Sequence, residues 1–354
     1  MTTSDSVARA EHRCSYVGNP QIKKSKLGSP MQTLCFRAAE EVLPASPGWT
    51  SVVLYPKILE LFSQMSARIM VGPELCEAWP AISMRYITLL PLHWTAYYLN
   101  PEVAQVNKAR HEATELVRPV LKARQAAYAA HGAGAEKHDD FIQWVMDSYR
   151  ANGKLVTPDE TVQNIFIVMF ASMHGTSFIA LQSLFSLLGT PGALDEVRKE
   201  VERVVDNELK DSPVWTRHVL GELRTMDSFM KETLRMKPFQ EATVQRFAMT
   251  THTFKDGLHV PSGTVVSFPN LRYNTDPTSF ASTAEDVFDW GAGLHACPGR
   301  FMAEVTIKLI LICLVTKYDM KLPDGSSERP AESRRFMDLR PDTSTPVMVR
   351  DVRG

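Results

Sequence analysis

The residues with chemistry to offer gather in one short run. "FDWGAGLHACPGRF", residues 288–301, holds three glycines, a histidine, a proline and a cysteine. Phosphate-cradling loops need a preceding strand and an uninterrupted Gly-rich turn, with Lys-Ser/Thr opening the helix in the commonest type. Here Gly291, Gly293 and Gly299 are separated by His295, Cys297 and Pro298, and no Lys-Ser/Thr pair follows. Zinc fares no better, because His295 and Cys297 have no second ligand pair at suitable spacing. A Cys–His hydrolase is also a poor fit, since residues two apart in a turn rarely align as nucleophile and base. What the run does offer is one thiolate presented by a turn. Glycines let backbone lie against a flat cofactor and take up positive φ. Unpaired amides at the start of the following helix, "RFMAEVTIKLILICLV", favour the ionised thiol. That setting suits a haem iron. A buried structural cysteine beside a glycine turn is the plainer alternative.

The elements that must position this loop are mostly helical. Apolar residues recur at three- and four-residue steps over 51–72 and 100–132, the second with a kink expected at Pro119. Residues 130–140 read as a loop and "DDFIQWVMDSYR" as a further helix. A long central helix over 160–189 starts after the capping signal "TPDE" and ends before "GTPG". Helix, loop and helix follow between Ala193 and Arg235. The Thr- and Val-rich stretch 244–269, with Asp-Gly and Ser-Gly turns, predicts a small antiparallel sheet. Residues 301–316 are helical and "PDGSSERPAESRR" is a loop. The expected architecture is one mainly helical domain with a minor sheet.

Composition narrows the function classes. With 354 residues, 44% hydrophobic, 22% charged and net charge -1, the chain is an ordinary globular sequence with no charge bias toward nucleic acid. Cysteines at 14, 35, 76, 297 and 313 form no CxxC pair, which fits a reducing compartment. The first residues, "MTTSDSVARAEHRC", lack the apolar stretch of a signal or anchor. The most apolar segment, 164–189, is interrupted by His174, Gly175, Thr176, Ser177 and Gln182, and reads as a helix buried in protein rather than lipid.

"WGAGLHACPGR" (290–300) resembles the haem-binding signature of the cytochrome P-450 family, the haem-thiolate monooxygenases. The resemblance implies that Cys297 is the axial iron ligand and Trp290 the aromatic wall, with Gly291, Gly293 and Gly299 at the family's glycine positions. It also implies that His295 and Arg246 reach the haem propionates. "FMKETLRMKP" (229–238) resembles the family's Glu-x-x-Arg helix, which makes Glu232 and Arg235 a buried structural pair. "ASMHGTS" (171–177) resembles the bulge of the helix that crosses the distal haem face. His174 then stands at the acid position, while Gly175 holds the place of the proton-delivering Thr. Thr176 lies one step on, about 100° round the helix, unless a local bulge re-aims it. On this basis the candidate catalytic residues are His174 and Thr176. Two softer stretches, 67–79 and 110–124, resemble fungal secondary-metabolism members of the ent-kaurene oxidase type.

The resemblance therefore implies a mainly α, cytochrome P-450-type fold over residues 1–354, binding haem b. It implies a monooxygenase that takes O2 and electrons from an NADPH-cytochrome reductase and oxidises a small, apolar, terpenoid-like substrate. The alternative is a catalytically silent homologue that binds haem weakly or not at all. By the same resemblance, the family's membrane anchor and most of its larger N-terminal sheet are expected to be missing, as is a segment after "RYNTDPTSF" (272–280) whose arginine normally joins the Glu-x-x-Arg pair. Nucleic acid is not an expected partner. The expected location is the cytoplasm or the cytosolic face of the endoplasmic reticulum, with peripheral membrane contact left open.

Overall fold

A computed structural model describes residues 28–93, 101–210, 214–276, 289–335 and 337–352. In chain order the elements are α1 (Gly28–Val42), β1 (Thr50–Val52), α2 (Leu54–Val71), α3 (Trp79–His93), α4 (Pro101–His131) and α5 (Phe141–Ala151). Next come α6 (Pro158–Gly189), α7 (Ala193–Glu208), α8 (Arg217–Gly221) and α9 (Arg224–Met236). Strands β2 (Thr243–Phe247), β3 (His252–Thr253), β4 (His259–Val260) and β5 (Val265–Phe268) precede α10 (Asn270–Thr275). The chain closes with α11 (Arg300–Lys317), β6 (Tyr318–Lys321), β7 (Ser333–Arg335), β8 (Asp338–Arg340) and β9 (Val347–Asp351).

The central helix starts where its capping signal predicts. Thr157 accepts from the Glu160 amide at 3.2 Å, and the Glu160 carboxylate accepts from the Thr157 amide at 2.9 Å. Pro158 follows at the first helical position, where its missing N–H costs nothing. From there α6 runs without a break to Gly189. It packs against α2, α3, α4, α5, α9 and α11. By length and composition it could cross a membrane, but two thirds of its most apolar window (67%) is buried inside the protein. Trp79 donates to the Met169 sulfur at 3.0 Å, and Tyr86 stacks on Phe166. Helix α4 passes through Pro119 as one assigned helix.

Helix α11 is held by apolar packing. Every residue from Ile307 to Val315 is buried, Lys308 included. Each fully buried Ile or Leu contributes about 1.5–3 kcal/mol, whereas an exposed ion pair contributes under about 1 kcal/mol. Packing against α6 therefore decides where this helix lies. Lys308 is tolerated in the core because its amine donates to the Leu220 carbonyl at 2.9 Å and pairs with Asp227 at 2.6 Å. Near the far end, the Cys313 and Cys35 sulfurs stand 3.4 Å apart and join α11 to α1.

The sheets are small and antiparallel. Strands β2 and β5 pair, as do β3 and β4, in the region where a minor sheet is expected. The β2–β5 register shifts between Thr243 and Arg246, beside Val244 at φ +51°. Two pairings escape the sequence pattern. Strands β1, β9 and β6 form a three-stranded sheet from distant parts of the chain. Ser333–Arg335, expected as loop, pairs as β7 with β8 and corrects that reading. Their segments are too short to show a period.

One buried ionic cluster braces the side of the bundle. Arg124 and Asp140 have side chains only 4% and 0% exposed and share two hydrogen bonds, at 2.6 and 2.7 Å. Arg124 also reaches Glu74 at 3.1 Å, and Asp140 caps α5 through the Gln143 amide at 2.9 Å. Replacing Arg124→Ala strands a buried carboxylate and is expected to cost about 3–5 kcal/mol. Urea unfolding should show a much lower midpoint, and an unchanged midpoint would show the pair to be dispensable.

Candidate active site

The cysteine loop begins with a turn at Asp289 and Trp290 and ends at Arg300, the first residue of α11. The Cys297 amide donates to the Trp290 carbonyl at 2.6 Å, which closes the loop on itself. The Cys297 carbonyl accepts from Arg300 Nη1 at 2.9 Å. Gly291 and Gly293 have φ of +76° and +61°, so the backbone here is left-handed, as the glycines predict. Gly299 differs: at φ -83° its backbone is ordinary, so it needs no glycine on conformational grounds. A Cβ on Gly291 would stand 3.2 Å from the His295 carbonyl oxygen, whereas Gly293 has open space. Trp290 packs partly buried against the core, while Leu294 and His295 are exposed. Cys297 is a free, part-exposed thiol.

The base of the loop is tied to α9 and α10. Asn270 and Asn274 are both fully buried on α10, and each amide donates to Asp289 Oδ1, at 3.1 and 3.0 Å. Burial pushes the Asp289 carboxyl upward, and these two bonds and the nearby Arg235 cation oppose the shift. Arg235 donates to Glu232 at 2.8 and 2.6 Å and also to the Asn274 carbonyl. The Glu232–Arg235 pair therefore forms as its spacing predicts. It is not the buried pair that the resemblance implies, because the Glu232 side chain is 60% exposed. Nothing among the described residues covers the outer side of Glu232, and Arg235 takes its further bond from backbone. Sequence reasoning missed Asp289, Asn270 and Asn274. Their signal was slight, two asparagines four apart and one of several acids that follow them.

The resemblance also assigns a face of α6 to the site. Ile167, Phe170 and Ala171 are exposed, and His174 and Gly175 part-exposed, at steps of three and four that form one stripe. Gly175 lies on the stripe; Thr176 does not. Thr176 is 4% exposed and buried against the core, and no bulge turns it onto the stripe. His174 Nδ1 lies 3.0 Å from the Tyr55 hydroxyl, and Tyr55 stacks on Phe178. His174 Nε2 is buried with no hydrogen-bond partner. Burial holds the His174 ring below the usual histidine range; the Ile87 carbonyl partly offsets this and the Arg340 charge adds to it.

Arg246 on β2 is exposed and its side chain donates to its neighbour's carbonyl, Gln245, at 2.8 Å. Neither Arg246 nor His295 has a carboxylate partner among the described residues. The structure thus joins Trp290, Gly291, His295, Cys297 and Arg300 in one loop and ties it through Asp289 to Arg235. Among the described residues, no hydrogen bond or ion pair links Arg246, His174 or Thr176 to that loop. The junction expected to lack a segment falls at 277–288, outside the described residues.

The described residues thus form a helical bundle with a free, part-exposed thiol on a short loop at the head of α11. The family described as Cytochrome P450 matches residues 80–289 and 286–345, and the chain belongs to that family. It is a cytochrome P450 monooxygenase, of a kind found in fungal secondary metabolism. It is 31% identical to the cytochrome P450 monooxygenase ccsG of Aspergillus clavatus, over 93% of this chain and 72% of that protein. It is 27% identical to pyrichalasin C-7 hydroxylase of Pyricularia grisea, over 76% of this chain and 60% of that protein. The heme domain of cytochrome P450DA shares the fold, with a TM-score of 0.72 at 16% identity over 97% of this chain and 77% of that one. The family's cofactor is haem b, and the residues present fit it. The loop offers an uncommitted thiol, α6 offers an exposed apolar stripe, and among the described residues Arg246 offers a cation and His295 an imidazole without acid partners.

Two outcomes follow from this geometry. Because His174 binds a proton less readily folded than unfolded, its contribution to stability is full above about pH 6.5 and falls as pH drops below it. Melting curves from about pH 7 to pH 5 should show a steeper loss for the wild-type chain than for His174→Gln; equal slopes would exclude His174 as the cause. In the loop, Gly291→Ala meets both backbone strain of about 1–3 kcal/mol and the His295 carbonyl, whereas Gly293→Ala meets strain alone. After desalting, Gly291→Ala should retain less haem than Gly293→Ala.

Proposed function

We propose that Cys297 is the protein ligand of the haem iron and that this monooxygenase oxidises an apolar, terpenoid-like secondary metabolite. The observation that carries the assignment is the free Cys297 thiol on a loop closed by its own amide at the head of α11. Haem, when bound, supplies reduction of O2 and delivery of one oxygen atom to the substrate, with electrons from an NADPH-dependent reductase.

The protein's own residues bind, orient and screen. Trp290 walls the thiol on one side, and the left-handed backbone at Gly291 and Gly293 leaves room for a flat group. Arg246 would offset the charge of a haem propionate, and His295 would hydrogen-bond one. Glu232 and Arg235 are structural and hold α9 against the base of the loop. Ile167 and Phe170 give the stripe on α6 an apolar character, which favours an apolar substrate and excludes water. With Gly175 lacking a hydroxyl, His174 is the group on that stripe able to hold or pass a proton. The name of the Pyricularia grisea relative, a C-7 hydroxylase, supports hydroxylation at carbon. A cytosolic location, free or at the endoplasmic reticulum surface, suits such a reductase. The bare backbone at Gly175 also favours a second reading, a homologue that binds haem with little turnover.

The test is the reduced carbon monoxide difference spectrum of the haem-supplemented chain. A thiolate-type Soret band is expected, lost in Cys297→Ala and kept in Cys76→Ala. A band unchanged by Cys297→Ala would overturn the ligand assignment. With the band present, NADPH consumed through a reductase without oxidised product would favour the second reading.

A further inference from the structure

We propose that Asp289 is a positioning residue: clasped by Asn270 and Asn274, its carboxylate anchors the first turn of the cysteine loop and sets where Cys297 stands. The clasp itself is independent of the cofactor. Its bearing on haem rests on the reading of Cys297 as the iron ligand.

Asn270 and Asn274 lie one turn apart on α10, so both side chains leave from the same face. Both are 0% exposed, and burying an amide is costly unless it is hydrogen-bonded. Both donors converge on one oxygen, Asp289 Oδ1, at 3.1 and 3.0 Å. One peptide bond further on, the Trp290 carbonyl receives the Cys297 amide at 2.6 Å. On the other side, the Asn274 carbonyl accepts from Arg235, which is also bound to Glu232. A short path thus runs from α9 through Arg235, Asn274, Asp289 and Trp290 to the amide of the cysteine. The far side of the loop has little else to hold it, because Gly293, Leu294 and His295 are exposed. Asp289 therefore does for this chain what a third partner of the Glu-x-x-Arg pair would do. It joins that pair to the loop.

The experiment uses the full chain, with and without haem. In the haem-free chain, alkylation by iodoacetamide is followed peptide by peptide. Cys297 is part-exposed in the closed loop, so labelling reads the added exposure when the loop loosens: Asp289→Ala should speed labelling of Cys297 by up to about tenfold while Cys76 keeps its rate. In the haem-supplemented chain the same variant should lose much of its thiolate-type carbon monoxide band. Asp289→Asn keeps an oxygen for both amides and should restore both readouts toward wild type. Should Asp289→Ala fail to fold, Asn270→Ala removes one of the two donors and is expected to speed Cys297 labelling alone. Labelling of Cys297 at the wild-type rate, or equal acceleration of Cys297 and Cys76, would overturn the proposal. A wild-type chain with no thiolate band would defeat the haem assignment and leave the labelling comparison to decide the clasp.

Discussion

The burial of α11 against α6 is the constraint on which the site depends. Nine consecutive residues, Ile307 to Val315, leave solvent together, and no rearrangement of surface charges matches the free energy that their burial contributes. Because Cys297 lies only three residues before this helix, the core that holds the bundle together also holds the thiol. The stripe on α6 is set the same way. Its buried faces fix the helix rotation and leave Ile167, Phe170, Ala171, His174 and Gly175 outward.

Polar groups refine what packing has placed. Arg124 and Asp140 share two hydrogen bonds in the interior and brace the scaffold. Lys308 carries a charge into the core because two acceptors await it. Arg246 and His295 are the opposite case, a guanidinium and an imidazole with no acid partner among the described residues, free of the bracing that engages Arg124 and Lys308. His174 lies between the two: the Tyr55 hydroxyl holds one ring nitrogen and the other is buried without a partner.

Much of this was legible in the sequence where the signal is local. Thr157 and Glu160 announced the start of α6 because a capping box needs only four residues. The glycines at 291 and 293 announced left-handed backbone, and Cys297 stood out through its neighbours. What stayed hidden depends on residues far apart in the chain. Strand β1 pairs with β9 across almost the whole sequence, and a three-residue strand carries no period to betray it. The rotation of Thr176 into the core follows from which face of α6 its neighbours bury, which spacing alone leaves undetermined. The exposure of Glu232 depends on what does not cover it. Asp289 was passed over because one acid before an aromatic has meaning only once α10 places two buried amides against it.

The contact between Cys35 and Cys313 has a mechanical consequence. Helix α11 is a rod of eighteen residues, about 27 Å long, with a sulfur pinned to α1 near one end and the cysteine loop at the other. A rod held along its length by a close-packed core does not bend to absorb a displacement; it tilts about its points of contact. A small change of volume where α1 meets α11 would therefore be transmitted as leverage to the opposite end, and the angle of the Cys297 thiol could be tuned by substitutions far outside its own loop.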